Sequence, residues 1–564
     1  MSEGDLPPGW VETDLGTIRL DLSQTIEPAV YSTRQFELYS IPAFPTGKPE
    51  IVAGSEIGSA KKTLLTNTVI VSKINPRINR VWIVKNDSAH QKVGSSEWIP
   101  FFALEGILPD YLAYSLRRDH FRNFLAANVS GVGGSLMRVR PEVLSPYPLP
   151  LPPLPEQRRI VAAIESYLTR LDDAIASLER VQRNLKRYRA SVLQAAVEGR
   201  LVPSEAELAR ESGREYEPAS DLLKRILVER REQWLANAAE KGRAKAEEKA
   251  KAKGAAWSPD DDAQALAAER KKAEAKYVDP AAPDTSDLPE LPDGWCWASV
   301  EQISIQIKNG CSVAPTAKSG VPILRISAVR PLSVNLRDVR FLPGPFDHYK
   351  GDQIASGDLL FTRYNGNPEL VGVSGLVRNL NENVIHPDKL IRVRCLNNFP
   401  DRRYLEIAVN IGTSRQFIEK RIRTTAGQAG ISGGDVKGIP IPIPPLLEQR
   451  RISDEVERLL SIETGTKQTT TTNLARAKRL RQSILKWAFE GKLVDQDPND
   501  EPAWVLLERI KTERAEREAA EQATRNAHKT STVRKPRAKK KSAKKSATKT
   551  SQKKTATKGR RKSS

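Results

Sequence analysis

The stretch PPLPEQRRI occupies Pro152 to Ile160, and PPLLEQRRI occupies Pro444 to Ile452, 292 positions further on. The match extends well beyond nine residues. Without a gap, Pro152 to Val202 aligns with Pro444 to Val494, closing on KRYRASVLQAAVEGRLV in the first copy and KRLRQSILKWAFEGKLV in the second. Upstream, YPLPLPP (Tyr147 to Pro153) mirrors IPIPIPP (Ile439 to Pro445), and LPPGW (Leu6 to Trp10) mirrors LPDGW (Leu291 to Trp295). Downstream, EPASDLLKRILVER (Glu217 to Arg230) mirrors EPAWVLLERIKTER (Glu501 to Arg514). One plan is therefore written twice: opening motif, variable body, shared long segment. The bodies, roughly 11 to 145 and 296 to 437, share almost no sequence. The offset grows only from 285 at the opening motifs to 292 at the EQRR motifs, so the bodies are of similar size. Like frames around unlike contents predict two domains of one architecture, each specialised for a different target.

The frame reads physically. Proline alternating with leucine or isoleucine blocks helix and favours an extended run up to the next helix. Pro155 suits a first helical position, with Glu156 at the positive end of the helix dipole. A 4-3 spacing then gives Ile164, Leu168, Leu171, Ile175, Leu178, Gln182, Leu185, Arg189, Val192 and Ala196, a coiled-coil seam with Gln182, Arg189 and Ala196 as its weaker members. A helix from Glu156 to Glu198 is about 65 Å long at 1.5 Å per residue. In the second copy Val456, Leu460, Leu474, Ala477, Ile484 and Ala488 hold the seam, but GTKQTTTTN (Gly465 to Asn473) has poor helical propensity. The expectation is a second long helix, kinked or weak at its centre and paired with the first. The other reading is two unrelated helices, each buried against its own domain.

At 564 residues the chain is too long for one core, and several domains are expected. The formal charge of +21 is unevenly placed: Arg525 to Ser564 holds 17 Lys or Arg and no Asp or Glu, which leaves 73 basic against 69 acidic residues elsewhere. That tail is expected to be disordered. Two functions suit it, a sequence-blind DNA tether or a solubilising appendage. The spacer from Glu229 to Lys276 reads as solvated helix broken at Gly254 to Asp262, followed by the linker VDPAAPDTSDLPE. Cys296, Cys311 and Cys395 show no CxxC spacing, which fits a reducing cytoplasm. The N-terminus lacks a signal pattern and no apolar run is long enough for a membrane span, so a soluble, unexported protein is expected.

No catalytic motif is evident. AGSEIGSAKKT (Ala53 to Thr63) lacks the Gly-Lys pair of a phosphate loop. The Asn-Pro-Pro-aromatic tetrad of amino-methyltransferases is missing, and the Pro-Asp pairs at Pro109, Pro259, Pro387 and Pro400 lack a following Glu-x-Lys. Five scattered histidines make no acid-base set, and SGVGGS (Ser130 to Ser135) reads as a turn. DNA contacts are better placed. In TVIVSKINPRINRVWIV (Thr68 to Val84) a buried strand runs into a basic turn bearing Lys73, Asn75, Arg77, Asn79 and Arg80. In DLLFTRYNGN (Asp358 to Asn367) a similar strand leads to Arg363, Tyr364, Asn365 and Asn367, so that Lys73 and Asn75 correspond to Arg363 and Asn365. Arg and Lys suit guanine O6 and N7, and Asn suits adenine. Gln428, in TTAGQAGISGG (Thr424 to Gly434), is a further candidate. Equally, these are polar turns capping a sheet and a plain loop.

The tandem layout of LPPGW and LPDGW, PLPLPPLPEQRRI and PIPIPPLLEQRRI, KRYRASVLQAAVEGRL and KRLRQSILKWAFEGKL, and LLKRI-x-x-ER resembles the specificity subunits of type I restriction-modification enzymes. The resemblance spans about residues 6 to 515; the basic tail departs from the family pattern. It implies an α+β chain with two mixed α/β target recognition domains, at 1–150 and 291–443, separated by two long spacer helices, at 151–202 and 444–494, paired as an antiparallel coiled coil in a pseudo-twofold repeat. Charged helical extensions would fill 203–290 (with the linker) and 495–524, ahead of the tail at 525–564. The seam residues Ile164, Leu168, Leu171, Ile175, Leu178, Leu185, Val456, Leu460, Leu474 and Ile484 would form the coiled coil on which partners dock. The resemblance further implies a non-catalytic subunit that reads a bipartite site in double-stranded DNA. Its partners would be two modification subunits and the restriction subunits, with S-adenosylmethionine, ATP and magnesium held by those partners. The alternative is an architectural DNA-binding protein dominated by its basic tail.

Overall fold

In both copies the repeated nine-residue stretch follows directly on a strand and runs into a helix. A computed structural model describes residues 6–129, 137–396, 401–425 and 428–532. These fall into two compact units, one of residues up to 174 together with those from 476 on, the other of residues 175–475. Each unit is therefore assembled from both copies of the repeat.

In the first unit the strand Val11–Asp14 pairs antiparallel with Pro148–Leu151, Val11 opposite Leu151, so the opening motif and the Pro-rich run close the body at its base. The body carries a five-stranded sheet in the order Thr25–Ile26, Lys61–Thr63, Gln91–Gly94, Gln35–Tyr39, Glu50–Ala53. A three-stranded sheet has Val69–Ser72 between Val81–Ile83 and Trp98–Phe101, and the helices Pro109–Leu116 and Asp119–Ala127 pack beside it. Leu15, Ile18, Val71, Phe101, Leu116, Phe121 and Tyr147 are buried in its core. That core also contains Ala503, Leu506, Leu507 and Ile510, which belong to the C-terminal helix Ala503–Thr532 and follow the second long helix in sequence.

The second unit repeats the arrangement with the copies exchanged. Cys296–Ser299 pairs antiparallel with Pro440–Ile443. A four-stranded sheet runs Ser304–Asn309, Leu390–Cys395, Leu359–Thr362, Ser374–Leu376, with the helices Arg402–Asn410 and Gly412–Glu419 against it. Ala219, Leu222 and Ile226, which follow the first long helix, are buried in this core.

Residue by residue, the repeated frame makes the same bonds in each unit. The indole of Trp10 donates to Glu156 Oε2 at 3.0 Å, and that of Trp295 to Glu448 Oε1 at 3.0 Å. Gly9 and Gly294 hold φ of 83° and 84°, a left-handed conformation that a side chain would strain. Their carbonyls accept the amides of Ala503 and Ala219, each at 2.8 Å. The glutamine after each Glu ties its own Pro-rich run, Gln157 Nε2 to Pro152 O at 3.1 Å and Gln449 Nε2 to Pro444 O at 2.7 Å. A buried tyrosine completes each set, Tyr111 to Pro150 O at 2.6 Å and Tyr404 to Pro442 O at 2.7 Å. The second arginine of each motif reaches an acid beyond the other long helix, Arg159 to Asp500 at 2.8 Å and Arg451 to Glu205 at 2.6 Å. Burial pushes the carboxyls of Glu156 and Glu448 above the usual carboxylate range, against the pull of their indole donors.

The long helices are Leu154–Val197 and Leu446–Phe489, and they pack against each other. The 4-3 seam is the inward face throughout: Ile164, Leu171, Val192 and Ala196 are buried, while Leu168, Ile175, Leu178 and Leu185 are half-buried among exposed neighbours. Val456, Ala477, Ile484 and Ala488 are buried on the second helix, and Leu460 and Leu474 half-buried. The two weak polar seam members have polar partners. Gln182 donates to Thr471 Oγ1 at 3.3 Å, and Arg189 pairs with the buried Glu463 at 3.3 Å. In the first unit Arg481 pairs with Asp172. The partner number falls as the residue number rises, so the helices run antiparallel.

Some expectations are corrected. The second helix is unbroken through GTKQTTTTN rather than weak at its centre. Its threonines bond back to carbonyls four residues earlier, Thr464 to Leu460 O and Thr470 to Thr466 O among them, which satisfies the hydroxyls inside the helix. The charged spacer is helix interrupted near Gly254, as expected, but it is not wholly solvated. The helices Ala219–Ala252 and Pro259–Glu274 form a hairpin with Leu235, Ala239 and Ala273 buried, tied by Arg270 to Glu232 at 2.6 Å. Its break is short because Ser258 caps the second helix in a reciprocal box with Asp261. The C-terminal helix reaches Thr532, into the stretch assigned to the disordered tail. Residues 533–564 and the SGVGGS stretch lie outside the described residues.

Trp10→Phe removes a donor from a buried carboxylate and is expected to cost about 1–3 kcal/mol in denaturant unfolding. Trp487→Phe, at a position 46% exposed, should change stability by no more than about 0.5 kcal/mol. His386 gives a pH prediction. It is fully buried, and burial, with the nearby Arg392 charge, lowers its pKa from 6.5 to about 4. The fold thus favours the neutral ring. The stabilisation is complete above pH 6.5 and is lost as pH falls toward 4, up to about 3 kcal/mol. Chemical denaturation across that window should show the loss, and His386→Asn should remove that component.

Candidate nucleic-acid interfaces

In both bodies the candidate residues follow the middle strand of a sheet. In the first, Val69–Ser72 is buried along its whole length, which fixes the direction in which the chain leaves it. Lys73 is half-buried, and its amide donates to Glu97 O at 2.8 Å. Burial lowers the pKa of its ammonium, against the attraction of the Glu97 carboxylate. Asn75 and Asn79, both at φ 48°, flank the single turn Pro76–Ile78, a conformation asparagine tolerates better than most residues. The Asn79 side chain donates to Leu116 O at 2.8 Å, and Arg80 donates to Ile74 O at 3.3 Å. Both side chains hold the turn to the body. Arg77 is exposed at the tip of the turn beside the exposed Ile78. The charges of Lys62 and Arg138 also act on Lys73, so the turn is part of a basic patch tempered by Glu97 and Asp21. Lys62 and Arg138 are distant in sequence and carry no motif, and sequence reasoning missed both.

In the second body Leu359–Thr362 delivers Arg363 in the same way, its amide donating to Lys389 O at 2.8 Å. The resemblance to Lys73 ends there. Where the first body turns, the second continues as the short strand Tyr364–Asn365, paired with Gln428–Gly430, which in turn pairs with Arg423–Thr425. The stretch around Gln428 is thus a hairpin, not a plain loop. Asn365 lies opposite Ala429, next to the exposed Gln428, so the candidates from two distant segments meet on one small sheet. Arg363 donates to Asp388 O at 3.4 Å and sits 4.7 Å from the Tyr364 ring. That ring lies over Gly430, where a Cβ would come within 2.3 Å of it. Asn365 Oδ1 accepts the Asn367 amide at 3.0 Å, and Asn367 Oδ1 accepts the Glu369 amide at 3.0 Å. Arg423 extends the basic face with its side chain 77% exposed. It was missed because nothing in RTT marks an arginine at a sheet edge.

Burial pushes the Cys395 thiol up to about 12 and that of Cys296 to about 11. Among the described residues no three His, Cys, Asp or Glu side chains are grouped to hold a metal ion. Among the same residues no helix is long and apolar enough to cross a membrane.

No family model matches the chain. Over 543 residues it is 27% identical to the specificity subunit of the type I restriction enzyme EcoKI of Escherichia coli K12, an alignment covering 91% of this chain and 97% of that one. This chain is similar in sequence along most of its length to type I specificity subunits. The StySPI specificity subunit of Salmonella potsdam is 23% identical over 540 residues, again covering 91% and 97% of the two chains. The solved HsdS subunit of Thermoanaerobacter tengcongensis shares the fold with a TM-score of 0.51 at 20% identity, over 87% of this chain and 99% of that one. A chain from a structural study of complex assembly and conformational transition in a type I restriction-modification system gives a TM-score of 0.54 at 19% identity, over 87% and 100% of the chains.

Asn79→Ala should lower stability by about 1–3 kcal/mol, since it strains a left-handed residue and strands the Leu116 carbonyl. Arg423→Ala should stay within about 0.5 kcal/mol of the parent in stability and weaken binding to duplex DNA. Thermal melts and fluorescence anisotropy on the same preparations separate the two effects.

Proposed function

We propose that this chain is the DNA sequence-specificity subunit of a type I restriction-modification complex, with the bodies within 1–150 and 291–443 each reading one half of a split duplex site. One observation carries this reading: the two bodies are closed by the same bonds, from Trp10 to Glu156 and from Trp295 to Glu448, yet present different sheets beyond them. A constant base with an exchangeable reader suits a protein whose target changes while its mode of assembly does not. The exposed basic edges, with Arg77 in the first body and Arg423 and Gln428 in the second, are the surfaces offered to the bases and phosphates. The paired helices, with their seam from Ile164 to Leu185 and from Val456 to Ile484, serve as spacer and as docking surface for two modification subunits and the restriction subunits. The chain itself performs no catalysis. Adenine methylation with S-adenosylmethionine, and translocation and cleavage with ATP and magnesium, belong to those partners in the cytoplasm. The architectural alternative is not favoured, since it accounts for neither the duplicated frame nor the relatives.

Replacing residues 11–145 with the corresponding body of a related subunit should change one half of the methylated site and leave the other half unchanged. Methylome sequencing of cells carrying the chimaera with its partner genes reads this directly. A change in both halves, or in neither, would refute the assignment of one half-site to each body.

A further inference from the structure

A cavity of about 450 Å³ in the first unit lies between the start of helix Asp119–Ala127 and the last turns of the second long helix. Arg118 lines it and is only 8% exposed. Its guanidinium donates from Nε to Ser115 O at 3.2 Å and from Nη2 to the Tyr147 hydroxyl at 3.3 Å, and it sits 4.5 Å from the centre of the Phe489 ring. Among the described residues no carboxylate pairs with Arg118, and its Nη1 has no partner. A buried cation without a counter-ion is costly. Tyr147 has one proton to give. Accepting from Arg118, it donates to His120 Nδ1 at 2.9 Å, so the imidazole proton lies on Nε2, which has no partner among the same residues. Helix Asp119–Ala127 starts here without a side-chain cap, and Gln482 Oε1 accepts the Asp119 amide at 3.1 Å. On the long-helix side, Lys486 has its side chain 70% exposed, 3.7 Å from Glu490, whose closer partner is Lys492 at 2.9 Å. Asp119 is tied to Arg122 at 2.9 Å. Four cations thus stand against two carboxylates, around a helix N-terminus and unused N–H donors. That is the chemistry of an anion site.

We infer that this cavity receives a backbone phosphate of the duplex read by the first body, held by Arg118, Lys486, the Nε2–H of His120 and the start of helix Asp119–Ala127. The inference rests on the DNA-reading role assigned above. Two observations favour a duplex phosphate over the carboxylate of a protein partner. First, the corner bearing the site is bonded to the recognition turn. The Asn79 side chain donates to Leu116 O at 2.8 Å, Arg117 Nη2 donates to Val81 O at 3.2 Å, and helix Asp119–Ala127 packs against the turn Pro76–Ile78. A phosphate held here sets the register of that turn on the duplex without reading a base. Second, the site is absent from the shared frame. Counting from the matched Tyr111 and Tyr404, Arg118, Asp119 and His120 correspond to Ile411, Gly412 and Thr413, and Lys486 corresponds to Gln194 in the long-helix repeat. In the second unit those residues line a space that Pro289 to Pro292 of the chain also line. A contact for a partner common to both units belongs in both copies. A contact that seats one reader on its own half-site belongs in one.

The test is a methylphosphonate scan, which removes the charge of one phosphate at a time. The full chain, in complex with its partner subunits, is titrated by fluorescence anisotropy with duplexes of its methylated sequence, each carrying one neutral linkage. At least one linkage within or beside the half-site of the first body should weaken the parent about five-fold, and should cost nothing further in Arg118→Met or Lys486→Gln. On the unmodified duplex Arg118→Met should bind roughly ten-fold and Lys486→Gln roughly three-fold more weakly. Their plots of log affinity against log salt should flatten by about 0.9. Lys486 is exposed, so Lys486→Gln keeps the fold and carries the test if Arg118→Met does not fold. A scan in which no linkage depends on these residues would overturn the proposal. So would dependence confined to the half-site of the second body, or loss of partner subunits from the Lys486→Gln complex, the mark of an acidic protein contact. Competition by inorganic phosphate with no dependent linkage would reduce the cavity to a small-anion site and overturn it equally. A parent complex that does not prefer its methylated sequence over a random duplex would instead count against the recognition role, and would leave the slope difference readable.

Discussion

The hydrogen bond from a buried tryptophan indole to a buried glutamate, made once by Trp10 and Glu156 and again by Trp295 and Glu448, is the constraint on which the rest of the structure depends. A carboxylate removed from water is costly unless it is well bonded. Each of these acids is placed where a helix begins, a Pro-rich strand ends and the opening motif turns through a left-handed glycine. Satisfying the carboxylate therefore fixes three chain segments at once. The neighbouring Gln and Arg of the motif add the next two connections, to the strand and to the chain arriving from the other copy. The Glu, the Gln and the second Arg of the motif make corresponding bonds in both copies.

The paired helices follow a different logic. An all-apolar seam would pair strongly but would tolerate sliding by a heptad. Gln182 opposite Thr471 and Arg189 opposite the buried Glu463 make such a slip costly, since each would lose its partner inside the interface. The threonine-rich centre of the second helix plays its part here. The Thr471 hydroxyl accepts from Gln182 while donating to Lys467 O of its own helix, and that of Thr472 donates to Gln468 O.

Much of this was legible in the sequence because it rests on periodicity and repetition, which need no knowledge of what packs against what. The seam from Ile164 to Ala196 and the strands at PLPL and PIPI are of this kind. What could not be read were partnerships between distant segments. The spacing of Leu506, Leu507 and Ile510 announces a buried face without saying that it completes the body near the other end of the chain. Leu235, Ala239 and Ala273 are too sparse among charges to announce a hairpin. In the candidate interfaces, the left-handed turn flanked by Asn75 and Asn79 was not legible, because asparagine suits recognition as well as such turns. The meeting of Asn365 with Gln428 required the strand pairing itself.

The exchange of extensions has a consequence for biogenesis. As the polypeptide emerges from the ribosome, the N-terminal body is made first, yet four of its core residues lie at Ala503, Leu506, Leu507 and Ile510, several hundred positions later. Until Leu506 and Ile510 have been synthesised, the apolar surface around Gly106 lacks the side chains that cover it. The body made second meets its missing helix already synthesised, with Ala219, Leu222 and Ile226 waiting upstream. All the segments of the later body's core are thus available before those of the earlier one.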